Sequence, residues 1–400
     1  MRDIVIDNNS RIGGHIWGST AESRDATEDF YAAGIRWIRS TRPMEMDDVL
    51  SGSYSYDFHN NGCEEASNRQ FQAGFNIMGI LDFEHYRDKP LCSPIWEHLA
   101  EWESFVRACV LHYKDRVKYW EVINEPPYGW LMPKPEGAPD TFWERGPVSE
   151  YAKLLKISAA VIRELDPEAV VLCGSTMYDG KFLRLFYEHD CKDDFDIATV
   201  HYLHCSHPGQ YHREYNLLRS IMAEYGDEQK PLWDTECGPG GERADKYVRT
   251  QVGYIEYQAC SNVYRHCLAY ASGLQRYFWF NPNWDWEKTG NNFIATRDES
   301  GAFTPPYQAL KVMTDILGES GLVDQRSLGD EVHVYVFDAP KGPVSVVWAT
   351  EPTRLHASVP LEAINMLGKP ITLEKEWEQD HIPLYIEHNV LADGCELALV

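Results

Sequence analysis

Two glutamates stand where apolar runs stop abruptly. Glu125 lies in "YWEVINEPPYGW", residues 119–130, between an asparagine and two consecutive prolines. Glu236 lies in "KPLWDTECGPGG", residues 230–241, ahead of a Gly-Pro-Gly-Gly stretch. A carboxyl group in such a place is either a solvated turn residue or a reactive group at the rim of an apolar surface. Two such groups that converge can divide one reaction between them. One protonates a leaving oxygen, and the other stabilises or captures the cation left behind. That is the chemistry of glycosidic bond cleavage, and it needs no metal or cofactor.

Convergence requires a scaffold that brings residues 125 and 236 together. From residue 11 to about 318, short β-type runs alternate with helical patterns. The runs are 11–17, 34–40, 75–83, 116–124, 169–175, 195–203, 230–237 and 274–281. In the helical stretches between them, Leu99, Trp102, Val106, Cys109 and Tyr113 share one face, and Tyr151, Leu154, Leu155, Val161, Ile162 and Leu165 another. Eight strand–helix pairs predict an α/β fold, a (β/α)8 TIM barrel. An open doubly wound sheet is the competitor, but no glycine-rich phosphate loop follows the first run. Catalytic residues of such barrels sit at the C-terminal strand ends. Glu125 ends the fourth strand and Glu236 the seventh, so they face each other across the mouth. The prolines after Glu125 remove two backbone donors and are expected to hold Glu125 extended.

After about residue 320 the pattern changes to short alternating strands such as "DEVHVYVFDA" and "GPVSVVWAT". They predict a small C-terminal antiparallel β-sandwich. The expected domains are a catalytic barrel over 1–320 and an accessory sandwich over 321–400.

Composition narrows the partners. Lys and Arg number 37 against 62 Asp and Glu, a net charge of −25. That balance argues against nucleic acid and anionic membrane, which both reward positive charge. The chain holds 13 Trp and 23 Tyr, whose flat faces suit sugars as well as a core. No basic-then-apolar leader precedes the barrel pattern and no run is long enough to span a bilayer, so the expected location is cytoplasmic. The ten cysteines are scattered without a C-x-x-C pair, in keeping with a reducing compartment. Oligomeric state has no signature here.

"WEVINEP" and "LWDTECG" resemble the two signature strand ends of clan A glycoside hydrolases, with family 39, the β-xylosidase-like group, the nearest in flavour. The resemblance implies a retaining hydrolase of β-glycosidic bonds acting on a carbohydrate substrate. It makes Glu125 the general acid/base, Glu236 the nucleophile, and Asn124 a donor to the substrate 2-hydroxyl. It also implies that Arg39 keeps the nucleophile ionised, that His85 lies by the third strand end, and that Trp279 floors the sugar site. The clan's sixth strand usually carries His-x-Tyr, with the tyrosine bonded to the nucleophile. Here "VHYLHCSH" matches at His201 but has Leu203 at the tyrosine position. Either Tyr202 or His204 substitutes after a register change, or the contact is absent.

Two electrostatic expectations follow. Glu236, beside Arg39, should be ionised at neutral pH. Glu125, facing that charge and sheltered by Trp120 and Tyr128, should have a raised pKa. The histidines 201, 204, 207 and 212 with Cys205 invite a metal reading, but their spacing is not that of a zinc-protease helix, and a polar loop lining the cleft is the plainer account. Tyr128, Trp130, Trp284 and Trp286 sit in long loops that could wall the cleft. The acidic stretch around Glu45 reads as a solvated loop. Three rivals stand beside a retaining glycosidase: a non-catalytic carbohydrate-binding barrel, an endo-acting glycanase of the same clan, and a metal-dependent hydrolase using the histidine loop.

Overall fold

The computed structural model describes residues 10–16, 21–40, 45–46, 63–83, 98–126, 147–205, 207–238, 251–280, 296–298, 300–392 and 397–400. Eight parallel strands form the barrel: β1 (Ile12–His15), β2 (Trp37–Ser40), β4 (Asn76–Phe83), β5 (Val117–Val122), β6 (Val170–Leu172), β7 (Ala198–His201), β8 (Leu232–Cys237) and β9 (Arg276–Trp279). They pair in the order β6-β5-β4-β2-β1-β9-β8-β7, and a parallel bridge from Leu172 to Ile197 joins the two ends. The (β/α)8 expectation is met, with a helix after each strand. The acidic stretch around Glu45 departs from its expected loop: Glu45–Met46 is a two-residue strand, β3, paired with β4.

Alternation along the strands sorts side chains into two layers. Trp37, Met78, Tyr119, Val170, Leu172, Ile197, Trp233 and Phe278 fill the barrel interior. The guanidinium of Arg276 stacks 3.7 Å from the Trp37 ring and 4.5 Å from that of Trp233, adding cation–π attraction to this layer. Outward-facing residues meet the helices. Trp102, Val106, Cys109 and Tyr113 of the helix Leu99–Tyr113 are buried together, as their spacing predicts, with Leu99 partly buried against them. Cys109 and Cys173 are buried thiols. Among the described residues no helix is long and apolar enough to cross a membrane.

Beyond the last barrel helix (Pro305–Leu317) every described element is a strand. β10 (Leu322–Leu328), β11 (Val332–Ala339), β12 (Gly342–Ala349), β17 (Leu384–Ile386), β14 (Leu361–Asn365) and β15 (Pro370–Leu373) make a six-stranded antiparallel sheet, in that order. β16 (Glu376–Gln379), β13 (Thr353–His356) and β18 (Ala398–Leu399) make a second sheet of three. Val332, Val334 and Val336 of β11 meet Val347, Leu355 and Leu361 in a core of their own. The alternate residues face the barrel helix Gln251–Ser272. Phe337 lies 5.4 Å from Tyr270 by ring centroids, and Trp348 lies 4.9 Å from Tyr264. The sandwich is thus packed on the barrel by one sheet face.

Candidate active site

The strand carrying Glu125 ends in a backbone contortion. β5 stops at Val122, after which Ile123 has φ 66° and Glu125 φ 44°, both left-handed. The prolines therefore do not keep Glu125 extended, contrary to the sequence expectation. The neighbouring backbone explains why there is no room to continue the strand. A Cβ on Gly174 would lie 2.3 Å from the Ile123 carbonyl oxygen and 2.8 Å from Pro126 Cδ, so the next strand end closes tightly over this turn. A β-branched residue at positive φ stores backbone strain, which belongs at functional positions. Asn124, between the two, donates its backbone N–H to Asp82 Oδ2 at 3.4 Å.

β8 breaks regularity in a different way. Val200 pairs with Asp234 and His201 with Glu236, so β8 carries one extra residue there. This β-bulge turns Thr235 and Glu236, adjacent in sequence, both toward the barrel axis. The strand is anchored by His15, whose Nε2 lies 3.0 Å from the Thr235 carbonyl oxygen. Gly238 follows because a Cβ there would lie 1.9 Å from the Phe280 carbonyl oxygen.

β7 resolves the sixth-strand question. Its last residue is His201, and Tyr202 takes φ 58° while its N–H donates to the Glu236 carbonyl oxygen at 3.0 Å. The left-handed step swings the Tyr202 ring inward, and its hydroxyl donates to Glu236 Oε1. Leu203 is buried in the core outside the barrel. His204 faces away, with Nδ1 2.6 Å from Glu214 Oε1. Behind the turn, Arg265 Nη1 donates to the Leu203 carbonyl oxygen at 2.7 Å and to Asp234 Oδ2 at 3.2 Å. The Leu203 N–H also donates to Asp234 Oδ2, at 3.3 Å.

Arg39, fully buried on β2, ties the three strand ends together. Its Nε donates to Glu121 Oε2 at 2.6 Å, Nη1 to Glu236 Oε2 at 3.0 Å, and Nη2 to Asn124 Oδ1 at 2.6 Å. Both Glu236 oxygens thus accept donors, one of them charged. Glu125 Oε1 lies 2.8 Å from His201 Nδ1. One carboxylate oxygen of Glu125, one of Glu236 and a His201 ring nitrogen all lie within 4.8 Å of one another. The arrangement is a hydrogen-bonded cluster around a buried guanidinium.

Burial pushes the Glu125 carboxyl up to about 7, against the pull of Arg39. Glu236 is raised as well, first by burial, with His201, Arg39 and the Tyr202 hydroxyl pulling down and Glu125 pushing up. The expectation that Arg39 sets this group's behaviour gave too little weight to desolvation. Of the two, Glu236 has the better stabilised anion, since a charged donor and a hydroxyl serve it, so the pair's proton resides on Glu125. Burial lowers His201 to about 4, leaving the imidazole neutral.

No protein-family model matches the sequence. Solved structures do resemble the fold. A family 39 glycoside hydrolase from Bacteroides cellulosilyticus WH2 superposes with TM-score 0.70 at 16% identity, over 95% of this chain and 81% of its own. A glucosidase from Croceicoccus marinus gives 0.60 at 14%, over 95% and 96%. CelM2, a bifunctional glucanase-xylanase from a metagenome library, gives 0.55 at 11%, over 94% and 96%. The fold is one that glycoside hydrolases use.

Within that glycoside hydrolase fold, Arg39, Asn124, Glu125, His201, Tyr202 and Glu236 come together. Trp279 does not join them. It is buried on the helix side of β9, 5.5 Å from Phe30 by ring centroids, so it cannot floor a site inside the mouth. Alternation explains the error: Phe278 points inward, and the next inward residue is Phe280, whose ring lies 5.2 Å from that of His15. Trp120 likewise faces the helices and does not shelter Glu125. His85, Tyr128, Trp130, Trp284 and Trp286 lie outside the described residues. Sequence reading missed Glu121, Thr235 and Phe280. Glu121 sits two residues beyond the inward Tyr119, and a buried charge at a period-two inward position is the signal that would have found it.

Proposed function

We propose that this protein is a retaining glycoside hydrolase that cleaves β-glycosidic bonds of a carbohydrate substrate. The observation that carries this reading is the approach of one Glu125 oxygen to one Glu236 oxygen within 4.8 Å at the barrel mouth. Retaining enzymes hold their carboxyl groups about 5–5.5 Å apart, whereas inverting ones need roughly 6.5–9.5 Å to admit a water.

In the first step the Glu236 carboxylate attacks the anomeric carbon. The bond to the leaving oxygen breaks, and that oxygen takes the proton of Glu125. Esterification removes the negative charge of Glu236, which favours the ionised form of Glu125. Glu125 then accepts a proton from water as the water attacks the glycosyl ester, and the Glu236 carboxylate is released. Asn124 has its amide oxygen held by Arg39, which leaves its amino group to donate to the sugar 2-hydroxyl. Tyr202 supplies the nucleophile with the donor that a His-x-Tyr strand end would give.

The test is a panel of aryl β-glycosides, including xylosides and glucosides, with wild type and with Glu236→Ala plus sodium azide. The expected result is hydrolysis by wild type, inactivity of the variant alone, and azide rescue that yields the α-glycosyl azide. Turnover lost on chelation, or binding of sugars without hydrolysis, would refute the reading.

A further inference from the structure

The polar contacts behind Glu125 form a chain whose directions can be assigned from one end. The Glu121 carboxylate is ion-paired with Arg39 at 2.6 Å, with both side chains fully buried. Thr235 Oγ1 donates its single proton to Glu121 Oε1 at 3.0 Å. Its remaining capacity is as an acceptor, and His201 Nε2 lies 3.1 Å away. A neutral imidazole whose Nε2 carries the hydrogen has a lone pair on Nδ1. That lone pair faces Glu125 Oε1 at 2.8 Å, and the contact is a hydrogen bond only if the carboxyl is protonated.

The opposite assignment fails chemically. With the hydrogen on Nδ1, both Nε2 and Glu121 would require the one Thr235 proton, and one of the two buried contacts would set lone pair against lone pair. We propose that Thr235 and Glu121 act as positioning residues that fix the tautomer of His201, so that His201 Nδ1 accepts the proton of Glu125 and keeps the general acid loaded. The same β8 bulge then serves two ends, aiming Glu236 at the substrate and Thr235 at the histidine.

Among the described residues, the charged and titratable groups around Glu125 and His201 come from six strands or their ends. They are His15 of β1, Arg39 of β2, Asp82 of β4, Glu121 of β5, Tyr202 after β7 and Glu236 of β8. Arg39 is shared between Glu121 and Glu236, so ionising Glu125 would add a further negative charge where two carboxylates already face one guanidinium.

The inference rests on the proposed glycosidase reading for its kinetic consequence but not for its structural one. Long-range 15N–1H spectra of histidine-labelled protein distinguish protonated from bare ring nitrogens, and His201→Gln assigns the signal. In wild type near neutral pH, His201 should be protonated at Nε2 and bare at Nδ1. Thr235→Val should reverse this and Thr235→Ser preserve it. With a glycoside of poor leaving group, Thr235→Val should move the alkaline limb of kcat/KM to lower pH by roughly one to two units, while Thr235→Ser leaves it in place. Activated aryl glycosides should show little change.

A wild-type His201 protonated at Nδ1 would overturn the proposal, and needs no variant to fold. So would an unmoved alkaline limb in a folded Thr235→Val protein. A wild type without glycosidase turnover but with the stated tautomer would sink the functional reading and leave the hydrogen-bond chain standing.

Discussion

The ends of β5 and β8 present the same side chain to the same cavity by opposite means. At β5 the chain abandons strand geometry, with left-handed residues at Ile123 and Glu125, and the carboxyl it delivers meets a neutral imidazole. At β8 the strand persists to Cys237 and absorbs a bulge, and the carboxyl it delivers meets Arg39 and Tyr202. The difference separates the roles. A glutamate beside a neutral acceptor keeps its proton, while one held by a guanidinium and a hydroxyl keeps its charge. In the proposed mechanism, identical residues become acid and nucleophile through what each strand end places around them.

The comparison can be broken first at Glu236. Glu236→Ala should lower kcat by about 10⁴-fold or more on every substrate, the scale on which loss of a nucleophile acts in other hydrolases. Steady-state rates on activated and unactivated glycosides check this. Glu125→Gln should be selective: about 10²–10⁴-fold slower with poor leaving groups and far less affected in glycosyl–enzyme formation from activated ones. Equal losses on both would deny it the acid role.

A pH profile sharpens the contrast. Glu125 works when protonated and its pKa is raised to about 7, so kcat/KM for poor leaving groups should fall above about pH 7. In the proposed mechanism Glu236 works when ionised, so it should set the acid limb. Tyr202→Phe removes a donor to that anion. It should raise the acid limb and lower kcat/KM by about 10- to 100-fold, as expected for one hydrogen bond to a charged group. The alkaline limb should stay near its wild-type position. The smallest effects concern β9. Trp279→Phe should lower stability by about 1–3 kcal/mol in denaturant titrations with KM unchanged, whereas Phe280→Ala should raise KM.

The barrel was legible because eight runs of strand type alternate with helical stripes, and because a (β/α)8 ring leaves little choice of topology. Glu125 and Glu236 were legible because each ends an apolar run beside residues that forbid its continuation. What escaped depended on departures from regular geometry. Tyr202 reaches Glu236 through one left-handed residue, and the β8 bulge turns Thr235 inward. Neither is encoded by hydrophobic alternation, which predicts only the regular part of a strand. Trp279 shows the converse failure, a large aromatic in a plausible place whose parity points it at Phe30.

The central claim is that Glu236 attacks the sugar directly while Glu125 supplies the proton. Proton NMR of the first product released from a β-glycoside, recorded before mutarotation, tests it most directly. The β-anomer should appear first, since two displacements restore the starting configuration. Initial release of the α-anomer would mean that water attacks in a single step, and would contradict the roles assigned to both glutamates.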